Sequence, residues 1–211
     1  MRRSHAAALL VALALAGATT YAVTAAPAGS RSICRFEPDR LAGLELRMWQ
    51  AYYAKENVRL FGLLLSTLRE QYHYSWTVAA REGFHLARAA ATFGNARDHY
   101  DAVLPDLEAA YTTAGRWLNA GFDPRAVARA ELAWWVARRM PGQNDPAQVG
   151  GLIADQYALL YEAPRAAVER AALLRAEAAA MRDTQARQPD WDAIGRLLRE
   201  SYRDLAATLG T

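Results

Sequence analysis

The sequence predicts an all-α protein, a multi-helix bundle of about seven or eight helices behind an N-terminal apolar segment. Apolar side chains recur at three- and four-residue intervals, as they do at Leu104, Leu107, Tyr111, Ala114 and Leu118. No segment shows the sustained alternation of apolar and polar residues that is typical of strands. The chain has 211 residues, of which 53% are hydrophobic, and this is enough to bury one good core. We therefore expect a single all-helical domain over residues 38–211.

The first 26 residues have the pattern of an export signal. Arg2 and Arg3 precede a run of uncharged, mainly apolar residues at 6–26. Two outcomes remain open. A peptidase cuts after Ala25, or the run stays as a transmembrane anchor, because its length at about 1.5 Å per residue just spans a bilayer core of about 30 Å. The prediction for residues 1–26 is therefore a signal peptide or a transmembrane anchor.

Both outcomes place the rest of the chain outside the cytoplasmic membrane of a bacterium. Residues 27–37, rich in small and polar side chains, are predicted to be a linker. The domain that follows is expected to be periplasmic, or anchored in the inner membrane and facing the periplasm. If the signal is not cleaved, residues 6–26 make the membrane itself a partner.

Helix boundaries are marked by capping residues. Asp123 and Asp145 are each followed by proline, which is the pattern of an N-cap acid with proline at the first helical position, and Asp190 opens the last helix in a related way. Gly94 and Gly121 fall where C-caps are expected. The predicted helices cover residues 38–54, 56–72, 75–93, 97–120 (as one helix or restarted at Pro105), 124–139, 146–162, 164–186 and 190–209.

Two features of the helical pattern concern packing. The apolar stripes of 41–52 and 58–72 lie on roughly opposite sides of a continuous helix, so either the helix breaks near 54–57 or one long helix contacts cores on two sides. No glycine or proline decides between these alternatives. Segment 164–186 is mostly Ala, Arg and Glu with a narrow apolar stripe, and we expect it at the edge of the bundle.

The distribution of charge argues against a nucleic-acid partner. Without Arg2 and Arg3, the remaining 23 basic residues nearly balance the 22 acidic ones. Arginines alternate with acids along helices, as at Arg165, Glu169 and Arg170, whereas nucleic-acid binding needs basic residues clustered on one face. We expect these charges to form a solvated surface.

One set of residues resembles the ferritin-like di-iron proteins. Glu45, Tyr52 and the E-x-x-H motif from Glu82 to His85 are similar to the first half of that family, and Glu131 matches the Glu of its third helix. The resemblance implies a four-helix bundle that stores iron or carries out oxygen-dependent oxidation. The chain departs from the family pattern because no second E-x-x-H follows residue 85, so that Asp155 or Glu162 would have to replace it.

The direction of the side chains argues against this metal site. On the helix of residues 75–93, small and apolar side chains form one stripe, and His85 falls on the opposite stripe with Glu82 to its side. A di-iron site needs ligands that point into the bundle. We therefore expect Glu82 and His85 to belong to a polar face, and predict no metal or cofactor; Glu45, Glu82, His85 and Glu131 are ligands only under the ferritin-like alternative.

Two carboxylates are predicted to lie on apolar faces, Glu45 and Glu131. A buried carboxylate is paired, protonated or bound to metal, because an isolated charge in a core is too costly. We expect structural pairs, formed with an arginine such as Arg138 or with Tyr52 or Trp134. The alternative is an acid of raised pKa in a pocket.

Aromatic residues are concentrated in the turn between the second and third predicted helices. Tyr72, His73, Tyr74 and Trp76 form a tip with polar handles that suits a ligand, a partner or a membrane interface. The alternative is that Tyr72 and Trp76 close the end of the bundle and that His73 is solvated.

No motif for covalent catalysis or phosphate binding is present. The sequence has no G-x-S-x-G and no glycine-rich loop followed by Lys, and Cys34 is its only cysteine. We therefore expect a helical binding or scaffold protein of the bacterial envelope, with an unknown protein partner or the membrane. The alternatives are a degenerate ferritin-like di-metal oxidoreductase and an α-solenoid that binds peptides.

Overall fold

The computed structural model describes the backbone of residues 2–210 and the side chains of residues 12–210. This part of the chain contains α-helices, one 3₁₀ turn and no strand, which confirms the predicted all-α bundle. The helices are α1 (Arg2–Thr24), α2 (Pro38–Tyr53), α3 (Asn57–Tyr72), α4 (Trp76–Asn95), α5 (Leu104–Leu118), α6 (Pro124–Arg139), α7 (Pro146–Leu160), α8 (Arg165–Thr184) and α9 (Trp191–Leu209), with the 3₁₀ turn at Tyr100–Val103.

Helix α1 covers most of the predicted signal or anchor. Its described side chains are mainly exposed, including Leu13, Leu15 and Tyr21, and the helix contacts α4 of the bundle. Within the described residues, no helix combines the length and the apolar character that crossing a membrane requires. The side chains of residues 1–11 lie outside the described part, so the assignment of residues 1–26 stays a prediction.

The predicted N-caps are confirmed, whereas the predicted C-caps are wrong. The carboxylates of Asp123, Asp145 and Asp190 each accept a hydrogen bond from a backbone N–H in the first turn of α6, α7 and α9. Gly94 lies inside α4, and α5 ends at the left-handed Asn119 (φ 50°), two residues before Gly121. Asn tolerates this conformation because its short polar side chain bonds locally, so a glycine is not needed there.

The helical segment that begins at residue 38 is interrupted between α2 and α3. Helix α2 ends at Tyr53 and α3 begins at Asn57, with Lys55 in the left-handed region at φ 61°. The break allows the two helices to direct their apolar stripes to the core independently. It also decides the question that the sequence left open.

The eight helices of the bundle form a closed ring. Each helix from α2 to α8 packs against the next one, and α9 returns to pack against α2. One apolar core lies inside the ring and takes residues from all eight helices, among them Leu41, Leu68, Ala79, Ala114, Val127, Ile153, Val168 and Ile194. A smaller core under the 3₁₀ turn joins α4, α5 and α6 through residues that include Phe93, Leu107 and Leu132.

Helix α8 was predicted at the edge of the bundle, and this is wrong. It lies between α7 and α9 and buries Val168, Ala171, Ala172, Ala176, Ala178, Ala179 and Arg182. Its small side chains let the neighbouring backbones approach closely. At Gly150 of α7, an added Cβ would lie 3.0 Å from the Cα of Leu173, so a larger residue there would push the two backbones slightly apart. The alanine stripe of α8 thus packs closely between α7 and α9.

Candidate functional site

Glu45 is buried in a charged and phenolic cluster at the centre of the ring. It is 5% exposed, and its Oε1 accepts hydrogen bonds from Nη2 (2.6 Å) and Nε (3.1 Å) of Arg175. The hydroxyl of Tyr202 donates to its Oε2 at 2.5 Å. The guanidinium of Arg175 also lies 5.0 Å from the centroid of the Trp134 ring. The charge of Glu45 is therefore balanced in a structural pair, as predicted. The partner is an arginine of α8 and not the predicted Arg138 of α6.

Glu131 is held by neutral hydrogen-bonding groups. The hydroxyl of Tyr111 donates to its Oε2 at 2.5 Å, and Gln156 Nε2 donates to the same hydroxyl at 2.8 Å. Trp134 Nε1 then donates to Gln156 Oε1 at 2.7 Å. Burial raises the pKa of the Glu131 carboxyl, and the Tyr111 bond and the charge of Arg175 only partly offset that rise. This series of hydrogen bonds joins α5, α6 and α7, so it has a structural role.

The predicted pairing of Arg138 with Glu45 or Glu131 is wrong. Arg138 Nη2 donates to Asp183 Oδ2 at 2.8 Å and to the hydroxyl of Tyr53 at 3.2 Å. Arg138 lies seven residues beyond Glu131, which is about 10 Å along α6, and it therefore reaches the end of α8.

Glu82 is buried and forms no salt bridge with a described residue. It is 6% exposed, and its Oε2 has no hydrogen-bond partner among the described side chains. Burial raises the pKa of its carboxyl to about 8, and the hydrogen bond with Tyr74 lowers it only in part. The polar face that we predicted for Glu82 is wrong, because the side of α4 that bears Glu82 and Gly83 packs against α3, where Leu65 and Phe61 lie close to Gly83.

His85 turns away from the core and joins α4 to α5. Its Nδ1 lies 2.8 Å from Oδ1 of Asp106, which also accepts from Arg88 Nη2 (2.5 Å), while Asp106 Oδ2 accepts from Arg88 Nε (2.6 Å). Asp106 is 6% exposed, and the hydrogen bonds from Arg88 hold the pKa of its carboxyl below the usual value. Sequence analysis missed Asp106, since a first-turn acid is ordinary in a helix.

The residues of the ferritin-like alternative do not form one centre. Glu45 bonds to Arg175 and Tyr202, Glu131 bonds to Tyr111, and His85 bonds to Asp106. Across the described side chains, no group of three or more His, Cys, Asp or Glu residues is placed to hold a metal ion. The arrangement offers salt bridges and phenolic hydrogen bonds in place of metal ligands.

The chain leaving α1 covers one end of the bundle, and we call residues 29–36 the covering segment. An added Cβ at Gly29 would lie 2.2 Å from His73 Nε2, so backbone and imidazole are in direct contact. The guanidinium of Arg31 lies 4.0 Å from the centroid of the Trp117 ring. Phe36 is buried against Tyr202, with ring centroids 5.9 Å apart. Much of the predicted linker is thus packed on the bundle.

The four residues of the aromatic tip differ in exposure. Tyr74 is 1% exposed and packs on Trp117, while Tyr72 and His73 are partly buried. Trp76 is 46% exposed, and the guanidinium of Arg69 lies 4.0 Å from its ring centroid. Tyr74, and not Trp76, therefore closes this end. The exposed Trp76 ring lies against the half-buried Arg69, whose Nη1 also donates to the carbonyl of Tyr74.

Comparisons of the chain with protein-family models, curated proteins and solved structures found no match. The fold and the site geometry define the protein as a closed all-α bundle with structural polar clusters inside and an aromatic–cation pair at one end.

Proposed function

We propose that the chain is an exported or membrane-anchored helical protein of the bacterial envelope that acts by binding, at the end of the bundle bearing Trp76. The N-terminal pattern supports the location, since Arg2 and Arg3 precede a long uncharged run that is helical to Thr24.

The main support for binding at this end is the position of the Trp76 ring, which is exposed and lies against the guanidinium of Arg69. Helix α1 contacts the bundle at α4, the helix that Trp76 begins, and the covering segment contacts His73 in the adjoining turn. The pair therefore lies at the end of the bundle from which α1 departs. Tryptophan and arginine suit a surface that is half apolar and half wet, as at a protein interface or at lipid headgroups.

Three of the internal acids, Glu45, Asp106 and Glu131, are already engaged in contacts between helices. Glu45 is balanced by Arg175, and Asp106 by Arg88, so their charges are already used to hold helices together. Glu131 belongs to a hydrogen-bonded chain that ends at Trp134.

Location is tested by expressing the full chain with a C-terminal tag in a Gram-negative bacterium and measuring its intact mass in each fraction. A full-length mass in the inner membrane, with the bundle cleaved by protease added to spheroplasts, supports an anchor. A periplasmic mass that begins at Ala26 supports cleavage. A full-length chain in the cytoplasm contradicts the proposal. The matched control replaces Arg2 and Arg3 by Glu, which should abolish export.

Binding at the aromatic tip is tested by replacing two side chains of similar exposure, one in the tip and one outside it. Trp76→Ala removes the exposed ring of the tip, whereas Phe84→Ala removes a ring that is 53% exposed on α4 outside it. We expect partners cross-linked to the full chain in native envelopes to be lost with Trp76→Ala and kept with Phe84→Ala. Equal yields from both variants would place the binding surface elsewhere.

A further inference from the structure

The end of the bundle that bears Trp76 has two arginine–tryptophan stacks. The guanidinium of Arg69 lies 4.0 Å from the centroid of the Trp76 ring, and the guanidinium of Arg31 lies 4.0 Å from the centroid of the Trp117 ring. Tyr74 connects the two stacks, because its ring packs on Trp117 and its carbonyl oxygen accepts a hydrogen bond from Arg69 Nη1 at 2.9 Å. The two stacks therefore belong to one surface.

This surface is rich in arginine, and we call it the basic end surface. It consists of the exposed or half-buried side chains of Arg31, Arg69, Trp76, Arg81, Arg116 and Trp117. None of its four arginines forms a salt bridge with a described residue. The acid in the last turn of α3, Glu70, is bonded to Arg40 at 2.6 Å, and Glu82 of α4 is buried and keeps its proton to a pKa of about 8. The charges of the four arginines are therefore free to attract an external anion.

Other acids at this end of the bundle lie at the ends of other helices. Asp123 is engaged in capping α6, and Glu37 is exposed just before α2. Glu162, in the turn between α7 and α8, accepts a hydrogen bond from the backbone N–H of Gly121 at 3.2 Å. The unpaired positive charge is thus concentrated in one sector, which is formed by α3, α4, α5 and the covering segment.

The course of the chain keeps this sector close to α1. Helix α1 ends at Thr24 and contacts α4, and Gly29 is already in contact with His73, three residues before Trp76. Five residues of fully extended chain span at most about 17 Å. If α1 is the membrane anchor of the proposed function, the chain beside the basic end surface therefore lies within about 17 Å of the point where α1 leaves the bilayer.

We propose that the basic end surface binds the phosphate-bearing headgroups of an anionic phospholipid bilayer. This rests on the proposed function, in which an exported or anchored chain binds at this end. Guanidinium groups bond to phosphate oxygens through parallel N–H donors, and tryptophan rings settle at the level of the headgroups. The negative potential of such a surface attracts basic residues clustered beside an anchor. An acidic protein would also attract the arginines, but α1 would not hold it within their reach.

Tryptophan fluorescence in vesicles tests the contact with headgroups. The full chain and Trp76→Phe are reconstituted into vesicles of phosphatidylcholine alone or with about one-third phosphatidylglycerol, each with and without a lipid that carries a nitroxide quencher on its headgroup. The difference between the two chains gives the emission of Trp76. We expect the quencher to lower this emission at least about twofold in the anionic vesicles, and much less in the neutral ones. Equal quenching in both compositions, or none in the anionic one, overturns the proposal.

Charge reversal locates the contact. Arg31→Glu/Arg116→Glu should reduce the quenching of Trp76 in anionic vesicles to the level seen in phosphatidylcholine, because like charges repel. Arg97→Glu/Arg187→Glu changes the net charge equally at exposed positions of the opposite end, and should leave the quenching unchanged. Full quenching in the first double variant overturns the proposal.

Salt provides a test that depends on no variant. Raising the ionic strength from about 0.05 M to about 0.5 M should weaken the quenching of Trp76 in the anionic vesicles, because it screens exposed charges. Quenching that does not respond to salt overturns the electrostatic contact.

A protein partner would give a different outcome. Cross-links to a protein that are lost in Trp76→Ala, together with no quenching in anionic vesicles, would overturn the lipid proposal and leave binding at this end intact. Salt-sensitive quenching of Trp76 in anionic vesicles, with equal cross-linking yields from Trp76→Ala and Phe84→Ala, would support the lipid contact.

Discussion

Glu45 and Glu82 are equally buried, yet the fold treats them in opposite ways. Their exposed fractions are 5% and 6%. Glu45 receives two hydrogen bonds from the Arg175 guanidinium and one from Tyr202. Glu82 has the hydroxyl of Tyr74 and an oxygen without a partner, and burial raises the pKa of its carboxyl to about 8. Burial alone therefore does not set the charge of an acid in this core.

The difference arises from which helices meet at each acid. Helix α8 brings Arg175 to Glu45 across 130 residues of sequence. The α3 side chains closest to Gly83, the residue after Glu82, are apolar, and Arg81, the residue before it, is exposed on α4. A carboxyl group beside an arginine side chain is stabilised in its ionised form, whereas a carboxyl group among apolar side chains keeps its proton to a higher pH. Four measurements test this contrast.

The largest effect is expected from Arg175→Met. This variant leaves the charge of Glu45 buried without a counter-ion, so the free energy of unfolding at pH 7 should fall by about 3–5 kcal/mol. Urea unfolding measures the change. The double variant Arg175→Met/Glu45→Gln should recover most of the loss, and Arg196→Met, at an exposed position of α9, should show little loss. A double variant as unstable as the single one would show that Arg175 acts mainly by packing.

Glu82→Gln should raise the free energy of unfolding at high pH, whereas Arg175→Met lowers it. The folded-state pKa, about 8, lies above the ordinary value of 4.5, so the folded chain keeps a proton that the unfolded chain loses between these values. Stability conferred by this group is complete below pH 4.5 and is lost as the pH rises through 8. Gln stays neutral, so the variant should be more stable than the unaltered chain by about 2–4 kcal/mol at pH 9.

The pH series contains its own control. Near pH 4 the two chains should have nearly the same free energy of unfolding, since Glu82 is then neutral in both folded and unfolded states. Glu131, whose pKa is also raised by burial, is present in both chains and cancels in the difference. Parallel stability curves from pH 4 to pH 9 would contradict a protonated Glu82.

Removal of the two phenolic hydroxyls should give smaller and unequal losses. Tyr202→Phe removes a donor to an ionised carboxylate and should cost about 1.5–3 kcal/mol in unfolding free energy, because hydrogen bonds to charged groups are the stronger ones. Tyr74→Phe removes a hydrogen bond with a neutral carboxyl at pH 7 and should cost about 1 kcal/mol. Urea unfolding at pH 7 ranks the two variants, and a larger loss for Tyr74→Phe would reverse the assigned charge states.

The smallest effect is expected from an exposed ion pair. Arg203 donates to both oxygens of Asp39, at 2.7 Å and 2.8 Å, but both side chains are more than half exposed. Water and salt screen such a pair. Arg203→Ala should leave the unfolding midpoint unchanged within error. A loss similar to that of Arg175→Met would show that geometry outweighs burial in this protein.

Helix starts were predictable from the sequence, and helix contacts were not. Asp123, Asp145 and Asp190 cap their helices through bonds to residues two or three positions away, so the local sequence carries the whole signal. The break at Lys55 has no glycine or proline to mark it. The burial of α8 between α7 and α9 was missed because an alanine stripe is buried or exposed according to which helices approach it.

The candidate sites divide in the same way. The sequence indicated that Glu45 and Glu131 are buried, because apolar residues surround them at helical spacing. It gave no means of finding Arg175, Tyr111 or Tyr74 as partners. Gln156 carried a weak signal, as an uncharged amide within the apolar run of α7. The basic end surface combines side chains of the covering segment, α3, α4 and α5, so no local pattern marks it.

By itself, the sequence determined the helical class, the helix starts and the polar balance of the surface, because each depends on residues within one or two turns of each other. Tertiary structure alone decided that the ring closes through α9 on α2, which acids meet a cation and which stay neutral, and which arginines gather at one end. Those outcomes depend on packing between helices up to 157 residues apart, as Glu45 and Tyr202 are. Spacing within a helix carries no information about such contacts.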